Sequence, residues 1–203
     1  MIPTDLLIAK GAIVKHFSAG EYLYEEGAMS TYYYQIVEGK VRVCNFLADG
    51  KEVLHTILGM QESVNYLGYT DLQVYTVSAI IDCPSTIIKI PINAFKEILE
   101  QHTTYLKVFL KQLSDNLNFK MFITKILSLH HPEEMLSALI QYLNQDKRLI
   151  CQECKRLMLT RQQLANMTGM RVETIIRTMK QMQKCDKLNI VKGKVFVPSD
   201  GIE

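Results

Sequence analysis

The chain has 203 residues, 48% of them hydrophobic, which suits one large or two small globular domains and excludes a disordered polymer. It contains no uncharged apolar run long enough to span a bilayer. Its start, Met1-Ile2-Pro3-Thr4-Asp5, lacks a basic stretch and a cleavage site, so the cytoplasm is the expected location. The formal charge of +2 divides unevenly: residues 147 to 203 hold 12 Lys and Arg against 5 Asp and Glu, leaving an acidic body and a basic tail suited to a polyanion.

From about Ile13 to Ile92 the pattern is of short strands punctuated by glycine turns at Gly20, Gly27, Gly39, Gly50, Gly59 and Gly68. Runs such as Lys40-Val41-Arg42-Val43-Cys44 and Ser85-Thr86-Ile87-Ile88-Lys89-Ile90 are β-branched and too short for helices. Ala48-Asp49-Gly50-Lys51 supplies a hairpin signal, and strands this closely spaced imply a sandwich, barrel or roll.

After Pro91 the pattern turns helical, and glycine does not recur until Gly169. Between Thr103 and about Leu129 apolar residues recur at Leu106, Leu110, Leu113, Leu117, Met121 and Thr124 or Ile126, a near-heptad stripe roughly 40 Å long. Two readings stand: a parallel two-helix dimer seam, or a helix packed along its own domain. His130-His131-Pro132 interrupts the pattern as a hinge, because proline restricts the residue before it. A further amphipathic helix runs from about Glu133 to Gln145, with Met135, Leu136, Leu139, Ile140 and Leu143 on one face.

Five cysteines, odd in number and mostly scattered, argue against a disulfide framework and fit a reducing compartment. Cys151-Gln152-Glu153-Cys154 is the one thiol motif, readable as a redox pair, as half of a metal site, or as neither. His130 and His131 are readable as metal or haem ligands or as solvated hinge residues, and His16, His55 and His102 stand alone.

The most specific segment is Leu159 to Val197. Thr160 with Gln163 fits a capping box opening a helix with Leu164 and Met167 inward, and Gly169 fits the tight turn between crossed helices. The next helix is predicted to bury Val172, Ile175, Ile176, Met179 and Met182. Arg171, Glu173, Thr174, Arg177, Lys180, Gln181 and Lys184 then face outward, as a major-groove reader requires. Glu173 and Arg177, one turn apart, are placed either to pair with each other or to read neighbouring bases. Leu188 to Val191 and Val195 to Val197 flank the basic tip Lys192-Gly193-Lys194, a wing whose lysines would touch phosphate, and Thr160 and Arg161 are further candidate DNA-binding residues.

The stretch LTRQQLANMTGMRVETIIRTMKQMQKCDKLNIVKGKVFV resembles the helix-turn-helix and wing of the bacterial Crp/Fnr family. The run FSAGEYLYEEGAMSTYYYQIVEGKVRVCNFLADGKEVLHTI resembles that family's β-roll. The resemblance implies an α+β protein with an antiparallel β-roll sensor over residues 1–102. A dimerisation helix over 103–131 and a winged helix-turn-helix over 132–203 would follow. It implies a homodimeric transcription regulator, not an enzyme, that binds an inverted repeat of double-stranded DNA, with RNA polymerase and a small-molecule effector as further partners and no membrane. The family's base-contacting Glu and Arg fall on Glu173 and Arg177. Val172 matches the Fnr-like version, and Arg171 replaces the usual small polar residue.

The sensor departs from the pattern. Val64-Asn65 stand where cyclic-nucleotide binders have Gly-Glu, Tyr75-Thr76 where they have Arg-Ser, and Lys120-Met121 where the cyclic-AMP receptor has Thr-Ser. A buried cyclic phosphate without its guanidinium is costly, so cyclic AMP is not expected. With no cysteine before Cys44, an iron-sulfur cluster of the Fnr type is not expected either. Val64, Tyr66, Tyr69, Tyr75, Val77, Met121 and Phe122 are placed to line an apolar effector pocket or to fill a core. The alternative to a DNA-binding regulator is a small-molecule or redox sensor acting through protein partners, with vestigial DNA binding.

Overall fold

The β-branched runs between Ile13 and Pro91 form one antiparallel sheet in the structure, a computed structural model that describes residues 2–64, 74–147 and 149–198. The chain divides into two compact units, Met1–Asn118 and Phe119–Glu203. In the first, a short helix α1 (Thr4–Ala9) precedes strands β1 (Ile13–Phe17), β2 (Tyr22–Tyr24), β3 (Tyr32–Phe46), β4 (Glu52–Leu58), β5 (Ser63–Val64) and β6 (Ser78–Pro91). The sheet order is β1-β6-β3-β4, with β2 also pairing β6 and β5 also pairing β3. The expected hairpin at Asp49-Gly50 joins β3 to β4: Leu47 N–H donates to the Lys51 carbonyl at 2.9 Å, and Gly50 adopts a φ of 81°.

Gly39, expected as a turn, lies inside the fifteen-residue β3 instead. Register shifts on both sides of it mark a bulge. Its φ of 98° is left-handed, and a Cβ there would sit 2.7 Å from the Cα of Ser85 on β6. The Ser85 hydroxyl fills the space beside the bulge, accepting from Lys40 N–H at 3.0 Å and donating to the Cys83 carbonyl at 2.6 Å.

Among the described residues, two buried clusters hold this unit. One gathers Leu7, Tyr33, Ile88, Ile90, Phe95, Ile98, Leu99 and Phe109, bringing in helix α2 (Ile92–Gln101) and the start of helix α3 (Thr103–Leu127). Tyr33 stacks on Phe95 at 3.7 Å, and Phe109 meets Phe95 edge-on at 5.4 Å. The Tyr33 hydroxyl reaches Ser63 Oγ at 2.7 Å, and Ser63 Oγ donates to Gln112 Oε1 at 2.8 Å, so the buried polar atoms here are paired. The second cluster holds Tyr24, Tyr34, Ile36, Val41, Leu58, Val64, Tyr75, Ala79, Ile81 and Ile87.

Helix α3 is long, as its periodicity predicts, yet the middle of its apolar stripe is exposed. Leu110, Leu113, Leu117 and Met121 are 50%, 37%, 59% and 63% exposed, while Leu106 is half-buried against the first cluster. Of the two positions expected to continue the stripe, Ile126 is buried and Thr124 is exposed, its hydroxyl donating to the Lys120 carbonyl at 3.0 Å. No helix among the described residues is long and apolar enough to cross a membrane.

In the second unit, helix α4 (Pro132–Gln145) begins where the proline break is predicted, with Pro132 in its first turn and Glu133 and Glu134 at its positive end. Its buried face is the predicted one, Met135, Leu136, Leu139, Ile140 and Leu143. Phe122 stacks on Tyr142 at 4.1 Å. Helices α5 (Arg161–Thr168) and α6 (Val172–Lys184) and the ribbon of β7 (Asn189–Val191) and β8 (Lys194–Phe196) complete the unit.

Candidate nucleic-acid interface

Helix α5 starts at Thr160 because both arms of the capping box form. Gln163 N–H donates to Thr160 Oγ1 at 3.0 Å, and Thr160 N–H donates to Gln163 Oε1 at 2.9 Å. Gly169, with φ 72°, closes the helix in the left-handed region, which lets the chain turn within three residues into α6. Leu164 and Met167 are buried as expected.

The buried side of α6 is Ile175, Thr178, Met179 and Met182. This corrects the expected phase: Ile176 is 41% exposed and Thr178 is buried in its place. At about 100° per residue, Ile176 lies a quarter-turn off the Ile175–Met179–Met182 line, at the edge of the outward face, and Val172 is half-buried. Periodicity alone assigned Ile176 by its hydrophobicity and so missed it as part of the exposed surface. Arg171, Glu173, Arg177, Lys180, Gln181 and Lys184 are exposed and Thr174 is half-exposed, forming one polar, mainly basic strip. Among the described residues no ion pair joins Glu173 to Arg177. An open groove of about 780 Å³ runs along this strip, with His131, Pro132 and Glu133 of the α4 start on one side and Glu173, Arg177 and Lys184 on the other. Lys187, just after α6, forms an ion pair with Glu133 of α4 at 3.3 Å.

The wing forms where expected, with Asn189 opposite Phe196, Ile190 opposite Val195 and Val191 opposite Lys194. Lys192 and Gly193 both have positive φ, 48° and 76°, the geometry of a two-residue turn whose twist matches the strands. Lys192 and Lys194 are exposed at its tip. Arg161 is half-buried, and its guanidinium donates to the Gly193 carbonyl, tying the start of α5 to the wing turn.

The residues expected around an effector are partly brought together. Val64 and Tyr75 are buried in the second cluster with Val77 packed against it, and Tyr75 stacks on Tyr24 at 3.7 Å while its hydroxyl donates to the Tyr32 carbonyl at 3.3 Å. Burial pushes the Tyr75 phenol up. Thr76 is exposed, its carbonyl accepting from Asn45 Nδ2 at 2.9 Å. Asn65, Tyr66 and Tyr69 lie outside the described residues. On α3, Lys120 is half-buried and desolvation pushes its ammonium down to about 8, whereas Met121 belongs to the exposed stripe and Phe122 packs on Tyr142. No group of three or more His, Cys, Asp or Glu among the described residues is placed to hold a metal ion.

A β-roll followed by a capped, glycine-turned helix pair and a basic wing defines a DNA-binding transcription regulator. Residues 14–102 match the cyclic nucleotide-binding domain family, and residues 135–198 match the Crp-like helix-turn-helix domain family. The chain belongs to the Crp/Fnr family of transcription regulators. The nitrogen fixation regulation protein FixK of Bradyrhizobium diazoefficiens is 23% identical over 188 residues, covering 89% of this chain and 76% of that protein. Two solved structures share the fold. The c-di-GMP-responsive global regulator CLP of Xanthomonas campestris has a TM-score of 0.79 at 16% identity, with 95% and 96% of the two chains covered. A CooA variant of Carboxydothermus hydrogenoformans has 0.80 at 18%, with 94% and 85% covered.

Proposed function

We propose that the chain is a homodimer that binds an inverted repeat of double-stranded DNA, each α6 entering a major groove and each wing resting on phosphate. The observation that carries this reading is the exposed strip of α6 opposite a fully packed inner face. On that strip Arg177 reads guanine O6 and N7, and Glu173 accepts from cytosine N4. Arg171, Thr174, Gln181 and Lys184 extend the contact, while Thr160, Arg161, Lys192 and Lys194 face the backbone, which positions the protein without reading sequence. The exposed stripe Leu110, Leu113, Leu117 and Met121 supports pairing along α3, because apolar side chains at this spacing gain most by meeting their equivalents.

In this reading residues 1–102 are the sensor, 103–131 the dimer helix and 132–203 the DNA-binding part, and DNA as the partner places the protein in the cytoplasm. The signal is not cyclic AMP: Tyr75, at the position of the phosphate-binding arginine, is buried against Tyr24 and offers a phenol where a cation is needed. The alternative, a sensor acting through protein partners with vestigial DNA binding, needs Arg171, Arg177 and Lys184 to be covered, and their exposure favours the first reading. A gel shift against a pool of promoter fragments tests it. A saturable complex whose affinity falls steeply with salt is expected, and its absence from every fragment overturns the proposal.

A further inference from the structure

The Cys151–Cys154 turn is not used by any part of the function above, and its surroundings are unusual for a surface loop. Cys151 is half-exposed and Cys154 exposed, at the tip of a hairpin closed by the Ile150–Leu157 bridge. Cys151 N–H donates to the Arg156 carbonyl and Lys155 N–H donates to the Cys151 carbonyl, both at 2.9 Å, while Lys155 takes a φ of 55°. The two bonds fold the four-residue loop back on itself, so Cys151 and Cys154 stand at the two ends of one tight turn, the close approach that a disulfide between them requires. Hydrogen bonding from the Cys154 backbone and thiol and from the Glu153 backbone holds the Cys151 thiol below its usual value.

The same hairpin is hydrogen-bonded to the wing. Val197 N–H donates to the Lys155 carbonyl at 3.0 Å, Leu157 N–H donates to the Val195 carbonyl at 2.9 Å, and Arg156 bridges Phe196. The residue that follows Cys154 is therefore bonded to the strand end that follows Lys194 and Phe196. A change in the loop's backbone acts on the placement of Lys192 and Lys194 without passing through the hydrophobic core.

We propose that Cys151 and Cys154 form a reversible thiol–disulfide pair that sets the wing, so that DNA affinity depends on the redox state of this loop. This rests on the DNA-binding reading above. The oxidant is a low-molecular-weight disulfide. The Cys151 thiolate attacks one of its sulfurs, forming a mixed disulfide and releasing one thiolate. The Cys154 thiolate then attacks the Cys151 sulfur, closing the ring and releasing the second. The two cysteines lose two electrons and two protons, and the small disulfide becomes two thiols. Closing the ring draws Cys154 toward Cys151, shifts the adjoining Lys155 backbone, and weakens its bond to Val197.

The test oxidises the full-length protein with glutathione disulfide, maps the bond by mass spectrometry of peptides, and measures anisotropy of a bound promoter fragment across a salt series. The expected product carries a Cys151–Cys154 bond, and dithiothreitol restores the reduced form. The slope of log affinity against log salt becomes shallower by roughly 2 per head, one for each wing lysine that leaves its phosphate. The variants Cys151→Ser and Cys154→Ser, at surface positions, keep the reduced affinity and lose the response, and thermal unfolding confirms that they fold. A bond through Cys185 between chains, no bond at all, or a Cys151–Cys154 bond with unchanged affinity and slope overturns the proposal. Reduced protein that binds no fragment overturns the DNA-binding reading and the switch with it, and the peptide map still reports separately on whether the pair forms.

Discussion

Leu117 is the position at which the proposed dimer seam is best measured. In the single chain its side chain is 59% exposed, so a partner helix can still bury more than half of it. Complete burial of a leucine contributes about 1.5–3 kcal/mol, so the part still available is roughly 1 kcal/mol per copy and about 2 kcal/mol per dimer. Leu117→Ala is therefore expected to raise the dimer dissociation constant by about 30-fold, since 1.4 kcal/mol is a factor of ten. The fold of the individual chain depends little on this side chain, so the far-ultraviolet spectrum of the variant should match that of the wild type. Sedimentation velocity over a concentration series reads the constant directly. Leu117→Glu goes further, because it sets two carboxylates against each other across the seam, and is expected to abolish both dimer and operator binding. A dissociation constant unchanged in Leu117→Ala and in the double variant with Leu113→Ala would refute pairing along this stripe.

Four further outcomes follow. Arg177→Ala should reduce discrimination at one base pair of each half-site by about 1–3 kcal/mol while leaving nonspecific binding almost intact, as read from competition with single-base operator variants. Gly39→Ala should destabilise the roll by more than about 2 kcal/mol in urea unfolding, because the added methyl meets Ser85 backbone and the backbone is left-handed there. Thr160→Ala removes the acceptor for Gln163 N–H and should cost about 1 kcal/mol in the same assay. Lys120 has a folded-state value of about 8, below that of the unfolded chain. The unfolded chain binds more protons between the two values, so wild-type stability should rise as pH increases from about 8 toward 10, and Lys120→Met should flatten that rise in pH-dependent thermal melts.

What the sequence made legible is what side-chain identity decides locally. Thr160 and Gln163 specify a helix start through their own hydrogen bonds, Pro132 specifies a break, and Lys192-Gly193 specifies a turn with positive φ. What stayed hidden depends on partners distant in sequence. Gly39 reads as a turn because nothing nearby reveals that Ser85, 46 residues on, will press against it. The six-residue α1 has too short a pattern to register, and its Leu7 is buried in a cluster built from distant residues such as Tyr33, Ile88 and Phe95. Ile176 reads as core by its type, whereas the helix phase is set by Ile175, Met179 and Met182 and leaves it 41% exposed. For the sensor, Tyr75 reads from sequence as either pocket or core, and its stack on Tyr24 places it in the core.

If the chain pairs along α3 as proposed, that helix is the element through which a signal would act, and its packing sets the scale of what the signal would have to supply. Tyr105, Leu106 and Phe109 anchor one end in the first unit, and Phe119 and Phe122 meet Tyr142 in the second, so the exposed stripe spans a segment held at both ends. Sliding two such helices past each other trades one set of leucine contacts for another and changes the seam by about 2 kcal/mol for each leucine pair gained or lost. An effector that binds one arrangement about 30-fold more tightly than the other matches that difference, and one with equal affinity for both shifts nothing. A modest ligand is therefore sufficient to move the population when the two arrangements differ by a single layer of the seam.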